Sequence, residues 1–223
     1  MLLAVALPWL MAACAQPMES EDPDIRRAAI EEITDQALLA KVAFEDNAWF
    51  VRAAAMEKLT DQSLVARMAV EDKDAYARRR AVEKLADTEQ ALFTRVALED
   101  KDAGVRAVAV EKLTDEVVLA KIILQDRDVD VRQVAIDKLA DPVVLAKVAL
   151  GDEHPRVRAV AVGKLTDQAA LAKVALEGKD PKVCLIAVEK LTDQAALAKV
   201  RIEAKDEAAR RSAASRINDL HDK

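Results

Sequence analysis

A tetrapeptide related to K-L-T-D returns along almost the whole chain at a near-constant interval, and that interval restricts the fold more than any other feature. Segments 58–61, 112–115, 164–167 and 190–193 carry it intact, and variants occupy 32–35, 84–87, 138–141 and 216–219. Its apolar residue falls at Ile33, Leu59, Leu85, Leu113, Leu139, Leu165, Leu191 and Ile217, 26 residues apart except for one interval of 28. The two extra residues, Thr88 and Glu89, directly follow Asp87, where a turn absorbs them without disturbing either flanking pattern. A period of this size is the signature of stacked supersecondary units.

Each repeat holds two helical patterns. In D-x-x-V-R-x-x-A-V-E-K-L, as in 102–113, Val105, Val108, Ala109 and Leu113 mark one helical stripe. The alanine column is complete at Ala29, Ala55, Ala81, Ala109, Ala135, Ala161, Ala187 and Ala213, which lets neighbouring backbones approach closely. The other pattern, D-Q-x-x-L-A-K-V-A-L at 167–176, places Leu171, Val174 and Ala175 on one face. Helices of about ten residues are marginal alone, so neighbouring repeats must bury a shared core. Four glycines in 223 residues are too few for hairpins or phosphate loops, whereas the Ala, Leu, Val, Lys and Glu content suits helices. The expectation is an all-α chain, a right-handed α-solenoid of about eight 26-residue two-helix repeats over 22–223.

Prolines and aspartates predict where the helices begin. Pro23, Pro142, Pro155 and Pro181 suit first helical positions, so the residue before each is an N-cap. The column Asp35, Asp61, Asp87, Asp115, Asp141, Asp167, Asp193 and Asp219 is expected to cap one helix per repeat.

Residues 1–13 (MLLAVALPWLMAA) carry no charge and read as the apolar region of a signal peptide, too short to span a membrane as an ordinary helix. Leu10 to Cys14 resembles a bacterial lipobox, with Met11 where leucine is usual and no Lys or Arg ahead of the apolar run. The resemblance implies lipidation of Cys14, and Ala15 after it implies sorting to the outer membrane. Ala13-Cys14-Ala15 also fits ordinary cleavage before Gln16. The expected organisation is a signal peptide over 1–13, a linker over 14–21 and the repeats from 22. An exported protein is expected, periplasmic or anchored at the outer membrane as a lipoprotein.

The V-R pattern, with Asp six residues before Arg, resembles the HEAT-like repeat family, including its short bacterial forms. Here the residues are Asp46/Arg52, Asp72/Arg78, Asp100/Arg106, Asp126/Arg132 and Asp152/Arg158. The resemblance implies that Arg bonds Asp between or within layers. The seventh repeat has Gly178 and Cys184 in these places, a joint loss that suits a paired role. At 26 residues the repeat is shorter than usual for the family and near the leucine-rich-variant repeat, which leaves room for one helix per repeat to be 3₁₀. Most relatives implied by the resemblance are binding scaffolds; some are bilin lyases.

Little in the chain points to chemistry. His154 and His221 are the only histidines, and no His/Cys/Asp cluster has zinc spacing. The stretches at 71–74 and 99–102 lack the D-x-D-x-D-G calcium pattern and read as turns between helices. Cys184 has no histidine near it in sequence. No metal and no cofactor is expected, and no catalysis. A formal net charge of −6 disfavours a phosphate track. In addition, Glu31, Glu57, Glu83, Glu111, Asp137 and Glu189 run beside Lys58, Lys84, Lys112, Lys138, Lys164, Lys190 and Arg216. Those columns read as a solvated surface of mixed sign, or as a groove for a charged peptide. No nucleic-acid partner is expected.

Aromatic residues are unevenly placed. Apart from Trp9 they are Phe44, Trp49, Phe50, Tyr76 and Phe93, all in the N-terminal half. Trp49 and Phe50 open one V-R helix, and Tyr76 occupies the column of Phe50 one layer on, followed by Arg79 and Arg80. Aromatic and arginine side chains are enriched at binding hot spots. Trp49, Phe50, Tyr76, Arg79 and Arg80 are therefore the candidate partner-binding residues; the alternative is that the rings cover the loop edge of a neighbouring layer. The expected function is a monomeric, non-catalytic scaffold of the cell envelope binding a protein or peptide. The alternatives are a HEAT-like enzyme of the lyase type and a cytosolic repeat scaffold.

Overall fold

A computed structural model describes residues 17–221 of the chain. The signal-peptide region at 1–13 and Cys14 lie outside the described residues. Among those described, the chain forms fifteen α-helices and no strand. They are α1 (Pro23–Ile30), α2 (Gln36–Glu45), α3 (Trp49–Glu57), α4 (Gln62–Glu71), α5 (Ala75–Lys84), α6 (Gln90–Glu99) and α7 (Ala103–Lys112) in one compact unit. The second unit holds α8 (Glu116–Gln125), α9 (Val129–Lys138), α10 (Pro142–Gly151), α11 (Pro155–Lys164), α12 (Gln168–Glu177), α13 (Pro181–Lys190), α14 (Gln194–Glu203) and α15 (Glu207–His221).

Within each unit the helices pack as layers of two. In the first unit α2 pairs with α3, α4 with α5 and α6 with α7; in the second α8 pairs with α9, α10 with α11, α12 with α13 and α14 with α15. Layers then stack chiefly through the V-R helices: α1, α3, α5 and α7 in the first unit, and α9, α11, α13 and α15 in the second. This is the helical repeat solenoid that the period predicts. Both helices of a repeat are α-helical, most of them 10 residues long, so neither is 3₁₀. The alanine column lies at the layer contacts and is buried in every repeat, as is the K-L-T-D apolar residue from Ile33 to Leu191.

The aspartate column caps as expected at six of its eight positions. Asp35, Asp61, Asp115, Asp141, Asp167 and Asp193 each accept from a main-chain N–H in the first turn of the following helix. Asp87 does not: the inserted Thr88-Glu89 moves the start of α6, Glu89 becomes the N-cap without a side-chain bond, and Asp87 pairs with Lys112 Nζ at 2.9 Å. Asp219 does not either, because α15 runs through it to His221.

Arginine and aspartate pair across layers, one step away from the spacing seen in sequence. Arg52 bonds the carboxylate of Asp72 at 2.6 and 2.7 Å, and only the main-chain carbonyls of Asp46 and Asn47. Arg26 grips Asp46 and Arg78 grips Asp100 in the same two-pronged way. Each Asp also accepts the N–H two residues on, which shapes the turn between its layer's helices. Residues 71–74 and 99–102 are thus turns that receive an arginine from the preceding layer.

In the second unit the pattern loosens. Arg132 holds Asp152 by one bond of 3.2 Å, and its buried Nε has no partner. Arg158 meets Gly178 where an Asp would be expected, turns to Asp180, and likewise leaves its Nε unpartnered. A Cβ added at Gly178 would fall 2.5 Å from Cys184 Sγ. Cys184, in an arginine position, lies one layer before Ala204, which holds the matching aspartate position. The compensated loss is therefore Cys184 with Ala204, whereas Gly178 leaves Arg158 short of its usual acceptor.

The lysine column is a second set of ties. Lys58 Nζ donates to Ile30 O, Lys84 to Glu57 O and Lys112 to Leu85 O. In the second unit Lys164 donates to Asp137 O, Lys190 to Gly163 O and Arg216 to Leu191 O. Each cation caps the carbonyl end of the V-R helix in the layer before, where the helix dipole is negative. These lysines tie one layer to the next, while Glu31, Glu57, Glu111, Asp137 and Glu189 beside them stay exposed, so the two columns still form a solvated surface of mixed sign. A third tie closes single layers: Gln36 donates to Lys58 O and accepts from Thr60, and Gln168 does the same with Lys190 and Thr192.

Two of the carboxylates that hold an arginine make stability sensitive to acid. Burial pushes the Asp46 carboxyl up, but the Arg26 guanidinium and the Ala48 N–H outweigh it and hold it below the usual range. Asp180 is lowered as well, first by its bond from Arg158. A carboxyl lowered by folding stabilises above its unfolded value, near about 4, and loses that contribution as pH falls through the folded value. Urea midpoints should stay level from about pH 7 to 5 and drop below about pH 4. Asp46→Asn should lower the neutral midpoint and flatten the acid limb; an unchanged acid limb would remove this rung from the explanation.

Candidate functional site

The first turns of α3 and α5 bring together the rings that sequence singled out. Trp49 is the first residue of α3, where the N-cap, Ala48, makes no side-chain bond, and Phe50 follows it. Tyr76 is the second residue of α5, whose first turn is fixed by Asp74 accepting its N–H at 2.8 Å. Trp49 stacks on Tyr76 with ring centres 5.2 Å apart and planes inclined by 29°. Its edge meets Phe50 at 5.8 Å, nearly perpendicular. Phe50 and Tyr76 share a column, but Trp49 is the ring that meets both, because it begins its helix one residue earlier. Trp49 remains 37% exposed and Tyr76 63%, while Phe50 is partly covered.

Arg79 and Arg80 follow Tyr76 and are engaged within the protein. Arg79 pairs with Glu83 at 3.0 Å on its own helix. Arg80 reaches back one layer to Glu57 at 2.7 Å and also holds Glu83 at 2.9 Å. All of these pairs are exposed, so each contributes little to stability. Their effect is to neutralise the surface beside the rings and to hold the guanidinium groups along α5. The patch is an aromatic edge with an ionic margin in which both arginines are paired and half exposed.

The other two aromatic residues of this half belong to packing. Phe93 is fully buried, with Lys112 Nζ 5.5 Å from its ring centre. Phe44 is covered by the Arg67 guanidinium at 3.8 Å. Both lie on the other helix of their repeats, outside the column that grouped Trp49, Phe50 and Tyr76 in sequence.

Two residues with potentially reactive side chains lie in the second unit. His154 is the N-cap residue of α11 but makes no side-chain cap bond, and it is exposed. Cys184 is fully buried, and burial, reinforced by Asp206 and Asp180, raises its thiol above the ordinary range, opposite to the activation a nucleophile needs. No group of three or more His, Cys, Asp or Glu side chains among the described residues is arranged to hold a metal ion. No helix among them is long and apolar enough to cross a membrane. Compared with known proteins, the sequence matches no family model and no curated protein. The aromatic edge therefore stands on its geometry.

Proposed function

We propose that the protein is a non-catalytic interaction scaffold of the bacterial cell envelope, holding a protein or peptide partner against the edge formed by α3 and α5. The observation that carries this is the exposed Trp49–Tyr76 stack in a chain with 3% aromatic residues. Rings of this size confer most when buried, and exposed apolar area is tolerated where a partner covers it. Trp and Tyr also contribute contact area with few rotatable bonds. The indole N–H and phenol O–H give the edge two donors for a partner's carbonyl groups. The uncharged N-terminal segment and the lipobox-like residues ending in Cys14 support export of such a scaffold, with attachment to a membrane through Cys14.

The decisive experiment is affinity capture from the cell envelope with the mature protein. Trp49→Lys, Phe50→Asp and Tyr76→Lys together should abolish capture of the partner while helicity and melting temperature stay nearly unchanged. Survival of capture with a melting temperature lowered by many degrees would assign the rings to packing. Mass spectrometry of the captured bait should show loss of at least residues 1–13, and Cys14→Ala should release the protein from membranes; an intact Met1 in the cytosolic fraction would contradict export.

A further inference from the structure

The outer face of two neighbouring helices departs from the rest of the repeat. In α8, Val117, Lys121 and Leu124 stand at i, i+4 and i+7, and Val143, Lys147 and Leu150 do the same in α10. Each set lies opposite the buried face of its helix, Leu119, Ile122 and Ile123 in α8 and Leu145, Val148 and Ala149 in α10. The two helices touch in adjacent layers and bury equivalent residues, so their outward faces lie side by side. Val117 is 78% exposed, Val143 75% and Leu124 45%. Lys121 and Lys147 are exposed, and Leu150 is half-buried.

Neither valine serves its own helix. Both sit in first turns capped by aspartate, with Asp115 accepting from Val117 N and Asp141 from Val143 N, each at 2.8 Å. The same cap closes over Ala37 in α2 and Ser63 in α4, and Ala91, Ala169 and Ala195 hold the column elsewhere. A β-branched residue is the poorer helix former, and both side chains stay largely in water, so burial within the fold does not offset that cost. The lysines differ as well. In α2, α4, α6, α12 and α14 the matching cation is followed four residues later by Glu, and Arg67, Arg95 and Lys199 meet it at 3.1, 3.4 and 3.9 Å. In α8 and α10 that residue is Gln125 or Gly151, and neither Lys121 nor Lys147 forms an ion pair among the described residues. Both departures fall on the same two helices.

We infer that this face docks an amphipathic acidic helix of a partner protein, laid across α8 and α10 with its carboxylates on Lys121 and Lys147. Charge complementarity selects the occupant, because two cations without their usual acids lie between a row of valines and a row of leucines. Packed helices lie about 8–10 Å apart, and residues seven apart in a helix are separated by about 10.5 Å. Acids at i and i+7 of the partner therefore reach both lysines, while apolar side chains at i+3 and i+4 settle against the valines and leucines. An anionic membrane is disfavoured, since the exposed acids Asp115 and Glu116 border Val117 and would be driven against the headgroups. A second copy of the chain is disfavoured as well, since a two-fold contact through this face sets lysines against lysines. The face belongs to other helices than the aromatic edge, and the inference does not rest on that edge.

The probe is a fluorescein-labelled peptide with Glu at i and i+7 and Leu at i+3 and i+4, stapled so that it is helical before it binds, titrated by anisotropy against the full chain. Saturable binding is expected, weakening with added salt. Lys121→Glu with Lys147→Glu should weaken it by at least about tenfold, and so should Gln at both acidic positions of the peptide, since each removes two charge-assisted contacts. Val117→Ala with Val143→Ala, the residue most other layers carry, should weaken it too. Gln125→Glu with Gly151→Glu should do the same by giving the lysines acids of their own; a Cβ at Gly151 meets nothing within 4 Å, so the side chain fits. Circular dichroism should show all protein variants unchanged in helicity. Equal binding by the Gln peptide or by the lysine variant would overturn the inference, and so would no saturation at about millimolar peptide. Cosedimentation of the chain carrying Cys14→Ala with vesicles of equal parts phosphatidylcholine and phosphatidylglycerol, abolished by the lysine changes, would overturn it by making a membrane the occupant. Self-association that Val117→Ala with Val143→Ala abolishes would overturn it in favour of a second copy.

Discussion

Arg52→Ala should cost about 3–5 kcal/mol of folding stability, measured by urea denaturation of the purified protein. The side chains of Arg52 and Asp72 are 2% and 4% exposed, so removing the guanidinium strands a buried carboxylate. It also removes the donors that Arg52 gives to Asp46 O and Asn47 O. Asp72→Ala should be costly for the converse reason. Arg52→Ala with Asp72→Ala should cost clearly less than the sum of the two, because each single variant leaves a lone buried charge and the double variant leaves none. Coupling of Arg52 with Asp46, six residues before it, should be markedly smaller, since the Asp46 carboxylate belongs to Arg26 and an alanine keeps the carbonyl that Arg52 uses. Strong coupling to Asp46 and none to Asp72 would mean that the rungs form within layers.

The second large effect is expected where the rung is missing. Cys184→Arg should destabilise by several kcal/mol, because position 184 is fully buried and the facing residue of the next layer is Ala204. Ala204→Asp added to Cys184→Arg should recover much of the loss. Ala204 ends α14 with φ −60° and ψ 139°, the same extended turn in which Asp46 ends α2 at −61° and 141°. The restored guanidinium would find the carbonyl of Gly178, the counterpart of the one that Arg52 takes from Asp46. Thermal denaturation of the single and double variants decides the matter. If Ala204→Asp deepens the damage, the Cys184 layer is packed too differently to accept a rung.

Much of this fold is readable from single residues in their columns. Ala55, Ala81 and Ala109 announce a buried contact because small residues recur at one phase of the repeat. Asp35 and Asp141 announce helix starts because capping acts within three residues of the chain. Asp87 misled for a local reason: two inserted residues displaced the helix it would have capped. The chemistry of Lys58 was hidden, since a lysine beside glutamate looks the same in sequence whether its ammonium meets water or the carbonyl of Ile30 in another layer. Of the candidate site, the grouping of Trp49, Phe50 and Tyr76 was legible from the shared column. The pairing of Arg80 with Glu57 one layer back was not.

The sequence by itself determined the repeat, its helical character, the buried columns and most of the caps. Those depend on periodicity and on contacts only a few residues apart. Tertiary structure decided which aspartate each arginine holds, where each lysine points and which aromatic rings remain exposed. The reason is the offset between stacked layers: it sets whether Arg52 meets a carboxylate 6 residues behind it or 20 residues ahead, and no spacing within one repeat encodes that choice.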